Sequence, residues 1–171
     1  MSDYFEPFAD ELLSSWIARR RRGQALPAHL EPRAYRNAKG LWRHPDIRPQ
    51  PSWLRALAEH FDIDVEQIGS NAVFRRYPLL DNRLTAWGFL PPSYPVRDGT
   101  HRPILCKCWC SQCLAEDYAA GRPAYVRADW VVTTFSFCPS HHWPLFDRCS
   151  SCGSAMYQIV RPPRGPQRMF C

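Results

Sequence analysis

Apolar positions in the first part of the chain recur at helical spacing. Leu12, Leu13, Trp16 and Ile17 share one face of a segment from Glu11 to Arg22, with Asp10 placed to cap its start and Gly23 to stop it. A second stripe, Leu54, Leu57, Ala58 and Phe61, follows i, i+3, i+4, i+7 spacing behind Ser52 as a cap. Asp64 and Gln67 then read as a capping box, flanked by Ile63 and Ile68 as a hydrophobic staple, for a helix from Val65 to Ser70. The turn Asp62-Ile63-Asp64 makes these two a helix-turn-helix-like unit.

Prolines punctuate the rest. Those at 27, 32, 45, 49 and 51 allow only short helices between them, one predicted from Glu31 to Ala38. The stretch from Pro78 to Pro103, with Pro91-Pro92 and Asp98-Gly99, reads as a linker, and a boundary falls near residue 95. Beyond it Leu114 to Ala119 suits a helical turn, while Tyr125 to Phe137 is rich in strand formers.

The chain's 171 residues suffice for two small units, and 45% hydrophobic content against 22% charged predicts that it folds. No apolar run approaches the ~20 residues a membrane span needs. The N-terminus is acidic where a signal peptide is basic and then apolar, so a cytoplasmic protein is expected. In a reducing compartment the 8 cysteines read as metal ligands before they read as disulfides.

Their spacing supports zinc. Cys110-Ser111-Gln112-Cys113 turns two thiolates toward one point, and Cys138-Pro139-Ser140-His141 offers a second pair at the same spacing. Three thiolates and an imidazole close the coordination shell, as in structural rather than catalytic sites. His142 competes with His141 for the fourth position. A third knuckle, Cys149-Ser150-Ser151-Cys152, needs two further ligands, of which Cys171 is one candidate. Either the sequence is cut inside a fourth knuckle, the reading preferred here, or His142, Cys106 or Cys108 completes the set. Cys106 and Cys108, one residue apart, chelate a single zinc poorly and read as spare thiols.

Taken together, the pattern predicts a mainly α, helix-turn-helix-like domain over 1–95 and a small α+β, zinc-ribbon-like finger module over 96–171. One zinc site is expected, and a second beside it. Enzymatic chemistry is not. Haem attachment needs His after Cys-x-x-Cys, but Leu114 and Gly153 stand there. Zinc deamination needs His-x-Glu and Pro-Cys-x-x-Cys; His29-Leu30-Glu31 is present, but Trp109 and Arg148 precede the cysteine pairs. Phosphate-binding glycine loops and metalloprotease helices do not occur.

A net charge of +6 and a pI near 9.0 favour an acidic partner without deciding it. Arg19, Arg20, Arg21 and Arg22 complement the negative end of the first helix's dipole, and with Arg33, Arg36, Lys39 and Arg43 they are equally a phosphate-contacting patch. The predicted second helix of the unit carries no Arg or Lys to read bases.

These residues give the chain a resemblance to the TniQ family, accessory and target-site proteins of Tn7-like and related bacterial transposons. Asp10-Glu11-Leu12-Leu13-Ser14-Ser15-Trp16-Ile17-Ala18-Arg19 resembles the family's opening helix. More specific is the series Cys110-Ser111-Gln112-Cys113-Leu114-Ala115-Glu116-Asp117, Arg127, Trp130, Cys138-Pro139-Ser140-His141, Leu145, Asp147-Arg148-Cys149 and Cys152-Gly153. The resemblance implies a helix-turn-helix domain followed by paired zinc fingers, with His141 as the ligand. It also implies a non-enzymatic targeting role, bridging target DNA or an RNA-guided effector complex to the transposon's AAA+ ATPase. A homodimer remains open as an assembly. The alternative is a sequence-specific, zinc-containing DNA-binding regulator with no transposon partner.

Overall fold

A computed structural model describes residues 6–21, 25–36, 42–80, 107–132 and 134–154, with the backbone of two short strands at 158–160 and 168–170. These residues are mostly helical with little strand. Helices α1 (Leu13–Arg20), α2 (Pro51–Phe61), α3 (Val65–Gly69) and α4 (Val73–Arg76) precede α5 (Ser111–Ala119). Two antiparallel two-stranded sheets pair β1 (Tyr35–Arg36) with β2 (Trp42–Arg43) and β3 (Gln158–Val160) with β4 (Arg168–Phe170). The expected boundary near residue 95 lies outside the described residues.

Helix α1 starts two residues later than its sequence suggests, and Asp10 does not cap it. Leu12 occupies the N-cap in an extended conformation without a side-chain bond. Residues 10 to 12 are held extended by pairing with a distant segment: Leu12 N–H donates to the Val126 carbonyl at 2.9 Å, and Ala128 N–H to that of Asp10 at 2.7 Å. The exposed helix donors are met from elsewhere in the chain, because the Asp46 carboxylate accepts from both the amide and the hydroxyl of Ser14 at 2.6 Å. Asp46 is wholly buried, with Lys107 at 3.7 Å and His44 at 3.5 Å. Burial pushes its carboxyl pKa up, but Lys107, His44 and Ser14 together bring it below the ordinary value. Burial holds the His44 imidazole down to about 4, so it is neutral at pH 7.

Two apolar clusters meet at α1. Leu13, Trp16 and Ile17 pack with Leu30, Leu57 and Ile68 from the helical flank. Their neighbour Leu12 turns the other way, into a cluster that holds Ile47, Val73, Val126 and Trp130 together with Cys110, Cys113 and Cys138. The two flanks of the chain therefore share a core.

Other local expectations change for definite reasons. Helix α2 begins with Pro51 at its first position, where a missing N–H and fixed φ cost nothing, so Gln50 and not Ser52 is the N-cap. Its stripe is as the spacing predicts, and Asp62 ends it in the left-handed conformation (φ 51°), which Asp tolerates. Asp64 caps α3, its carboxylate accepting from Glu66 N–H at 2.8 Å, and Ile63 and Ile68 both join the apolar cluster. In place of a helix over Glu31 to Ala38 there is a 3-10 turn at Ala28–Leu30, then β1, whose Tyr35 lies opposite Arg43. Pro32 forces Glu31 into extended backbone (ψ 130°), which stops helical growth. Among the described residues from Tyr125 to Phe137 there is no continuous strand; Arg127 bridges Glu11, Phe137 bridges Pro144, and Ala128–Val131 forms a 3-10 turn. Trp130, Val131 and Val132 are all buried, whereas a pleated strand would send Val131 outward.

The basic run on α1 is in part structural. Arg19 is buried and donates to Glu11 at 2.6 Å and 3.2 Å, to the Glu6 carbonyl at 2.8 Å, and lies over the Phe8 ring. Burial raises the Glu11 pKa, and Arg19 is the principal group opposing it. Removing one member of such a pair strands the other in the interior. Arg19→Ala is expected to cost about 3–5 kcal/mol of stability, measured by urea denaturation, where an exposed phosphate contact would cost nearly nothing.

Candidate metal centre

The first knuckle is built by the start of α5. Cys110 is its N-cap and Cys113 lies in its first turn, so Cys-x-x-Cys spacing sets both thiols at one helix end. The second knuckle closes a small hairpin: Cys138 N–H donates to the Trp143 carbonyl at 2.7 Å, Leu145 N–H to that of Ser136 at 2.9 Å, and His142 takes a positive φ of 56° in the bend. Reciprocal 2.9 Å bonds between the backbones of Trp109 and Phe146 lay this hairpin beside the first knuckle.

The ligand atoms of Cys110, Cys113, Cys138 and His141 consequently lie within 4.8 Å of one another. Cys113 Sγ is 3.6 Å from Cys138 Sγ, and His141 Nδ1 is 3.7, 3.3 and 3.6 Å from the sulfurs of Cys110, Cys113 and Cys138. Tetrahedral zinc with Zn–S of about 2.3 Å and Zn–N of about 2.0–2.1 Å sets its ligands about 3.8 Å (S to S) and about 3.6 Å (S to N) apart. The four groups fit such an ion, and the three cysteines are buried, as a closed structural site requires. His142 is exposed and stands apart from the cluster.

The opposite edge of the His141 ring is also engaged. Its Nε2 sits 2.8 Å from the Glu116 carboxylate, which leaves Nδ1 for the metal. The contact raises the His141 pKa and lowers that of Glu116. Burial pushes the Cys113 thiol up. For Cys138 burial is outweighed by hydrogen bonds from the amides of His141 and Ser140 and from the His141 ring, which draw it down to about 7. Glu116 was not singled out as a site residue in the sequence, although it lies three residues after Cys113, on the same helical face.

The remaining candidates lie elsewhere. Cys149 and Cys152 flank a separate turn, closed by Gly153 N–H donating to the Cys149 carbonyl at 2.8 Å; Cys149 is half-buried and Cys152 exposed. Cys171 and Cys106 are outside the described residues. Cys108 packs beside the core, its amide bonded to the Trp130 carbonyl at 2.8 Å. Of the basic residues, Arg43 is buried like Arg19, Arg20 reaches the Phe61 carbonyl at 3.3 Å, and Arg21 lies 3.4 Å from Glu31. Arg33 is exposed. The Arg36 side chain, Arg22 and Lys39 are outside the described residues. No helix among the described residues is long and apolar enough to cross a membrane.

Fold and site together define a small, mostly helical protein with a three-cysteine, one-histidine cluster that could hold a metal ion, consistent with zinc. A TniQ family model matches residues 4–145, and the chain belongs to the TniQ family. That membership gives it a role associated with Tn7-like transposition, in a family of non-catalytic accessory proteins. None of the curated proteins or solved structures compared with the chain matches it.

Glu116 is largely exposed, so its substitution tests the site without disturbing the core. Glu116→Ala is expected to weaken zinc binding about 10–100-fold, read by chelator competition, while the circular dichroism of the loaded protein stays unchanged.

Proposed function

We propose that this protein is a non-enzymatic targeting adaptor in DNA transposition, joining a target-recognition element to the AAA+ ATPase of its transposon. Family membership carries the reading. The character of the site supports it: three thiolates and an imidazole, closed around an ion, leave no open position for chemistry but fix a rigid surface. That surface is apolar. Phe137 is bridged to Pro144, and Phe146 to Trp109, whose ring packs against the core and lies 6.4 Å from that of Phe146, so Phe146 rests on a buttressed aromatic base. Phe137 is 58% exposed and Phe146 38%, as suits an interface.

In this reading the pair α2 and α3 acts as a helix-turn-helix-like unit, and residues 96–171 form a zinc-ribbon-like module that follows it. The target element is DNA or an RNA-guided effector complex, and the adaptor works in the cytoplasm, alone or as a homodimer. Cys149 and Cys152, with Cys171, hold a second zinc.

Pull-down of the ATPase by the zinc-loaded chain is the direct test; retention is expected, and its absence under low salt sinks the adaptor reading. Elemental analysis of the purified protein separates the two sites. Two zinc equivalents are expected, falling to one in Cys152→Ser, and a single equivalent in the wild type removes the second site.

A further inference from the structure

The metal cluster is joined to the rest of the chain by a residue that binds no metal. Arg127 follows Val126 into the shared core, and its guanidinium is gripped from several sides. One nitrogen, Nη2, donates to both oxygens of Asp117 at 3.1 and 3.0 Å; Asp117 is a wholly buried carboxylate on α5, the helix that carries Cys110 and Cys113 at its start. The Nε edge faces Asp10 at 3.6 Å, just ahead of α1. The plane stacks at 4.2 Å on Tyr125, whose hydroxyl also donates to Asp10 at 3.0 Å, and at 5.1 Å on Trp130. Nη1 is buried without a hydrogen-bond partner among the described residues.

The backbone makes the same connection. Glu11 and Arg127 form an antiparallel bridge, and the Ser15 hydroxyl accepts from Val126 N–H at 2.9 Å. Leu12 packs in one cluster with Cys110, Cys113 and Cys138. A planar, forked cation is the group suited to hold two carboxylates from different segments, which a lysine ammonium on a single stem cannot do in the same geometry. A site of three thiolates and one divalent ion is also net anionic, and a cation beside it lowers the cost of burying it.

We propose that Arg127 is a positioning residue that couples metal loading at the Cys110, Cys113, Cys138 and His141 cluster to the docking of α1, so that the ion orders both flanks of the chain. Loading fixes α5 and with it Asp117; Asp117 fixes Arg127; Arg127 and its backbone bridge fix residues 10 to 12, from which α1 departs. The proposal rests on the metal reading of the cluster and is independent of the transposition partner.

Amide hydrogen exchange of the full chain, with zinc and after chelation, tests it. Removal of the ion is expected to speed exchange from Leu12 to Ile17 by about tenfold or more, together with residues 108–146. Protection of α1 that persists while 108–146 opens overturns the coupling. In Arg127→Lys the cobalt-substituted site should keep the absorption bands of a tetrahedral thiolate centre while α1 in the loaded protein exchanges near its chelated rate. Wild-type protection of α1 in that loaded variant overturns the role of Arg127. Should Arg127→Lys fail to fold, Asp10→Asn decides, since Asn still accepts from Tyr125 but loses its charge toward Arg127. Faster α1 exchange with an unchanged cobalt spectrum supports the proposal, and unchanged exchange overturns it.

Discussion

The convergence of four ligand atoms at one end of a nine-residue helix is the constraint on which the metal-side half of the structure depends. The elements around it are short, and turns and isolated bridges connect most of them. Such segments bury too little apolar surface to offset their own ordering. Three thiols and an imidazole drawn within 4.8 Å are likewise poorly compensated by one another. A divalent ion held there would resolve both difficulties, because its binding free energy becomes folding free energy in a site that does not exist in the unfolded chain.

Buried charge is the second organising feature. Glu11 with Arg19, Asp46 with Lys107, and Asp117 with Arg127 each place a fully buried carboxylate against a cation. Pairs of this kind add little net stability over apolar substitutes, but breaking one is costly. One of the three joins segments far apart in sequence, since Asp46 and Lys107 are drawn together over the start of α1; Asp117, in the last turn of α5, and Arg127 are ten residues apart. Their effect is to specify which segments meet. A positive net charge thus overstates the free cation on the surface, since Arg19 and Arg43 are buried in the fold.

Local apolar spacing and capping signals made α1, α2 and α3 legible in the sequence, though not α4, and knuckle spacing made the four ligands legible. The stripe of α2, the cap at Asp64 and the pairing of Cys110-x-x-Cys113 with Cys138-x-x-His141 are all local patterns with a local cause. Misreadings arose where the cause was distant. Asp10 has the right chemistry to cap α1, but Tyr125 and Arg127 claim it, and the cap comes from Asp46. The β-branched and aromatic residues after Tyr125 have strand propensity, yet a small core needed three successive side chains on its own side and bent the backbone to get them. Glu116 and Arg127 stand in the series that carries the family resemblance, but spacing gives neither a role, because each acts by touching a group that another segment delivers.

The opening segment shows how a motif that looks like a helix start is in fact a docking surface. Asp10 meets Tyr125 and Arg127, Glu11 meets Arg19, Ser14 meets Asp46, Ser15 meets the Val126 amide, and Trp16 packs edge-on against Phe61. Every polar side chain in the run is thus engaged within the fold, and Glu11, Ser15 and Trp16 are buried. Residues so placed have little surface left for a partner. In the proposed adaptor role, recognition draws on side chains the fold leaves outside; among the described residues the large exposed apolar groups are Leu79, Tyr118, Phe137, Trp143 and Phe146, of which Phe137, Trp143 and Phe146 flank the second knuckle.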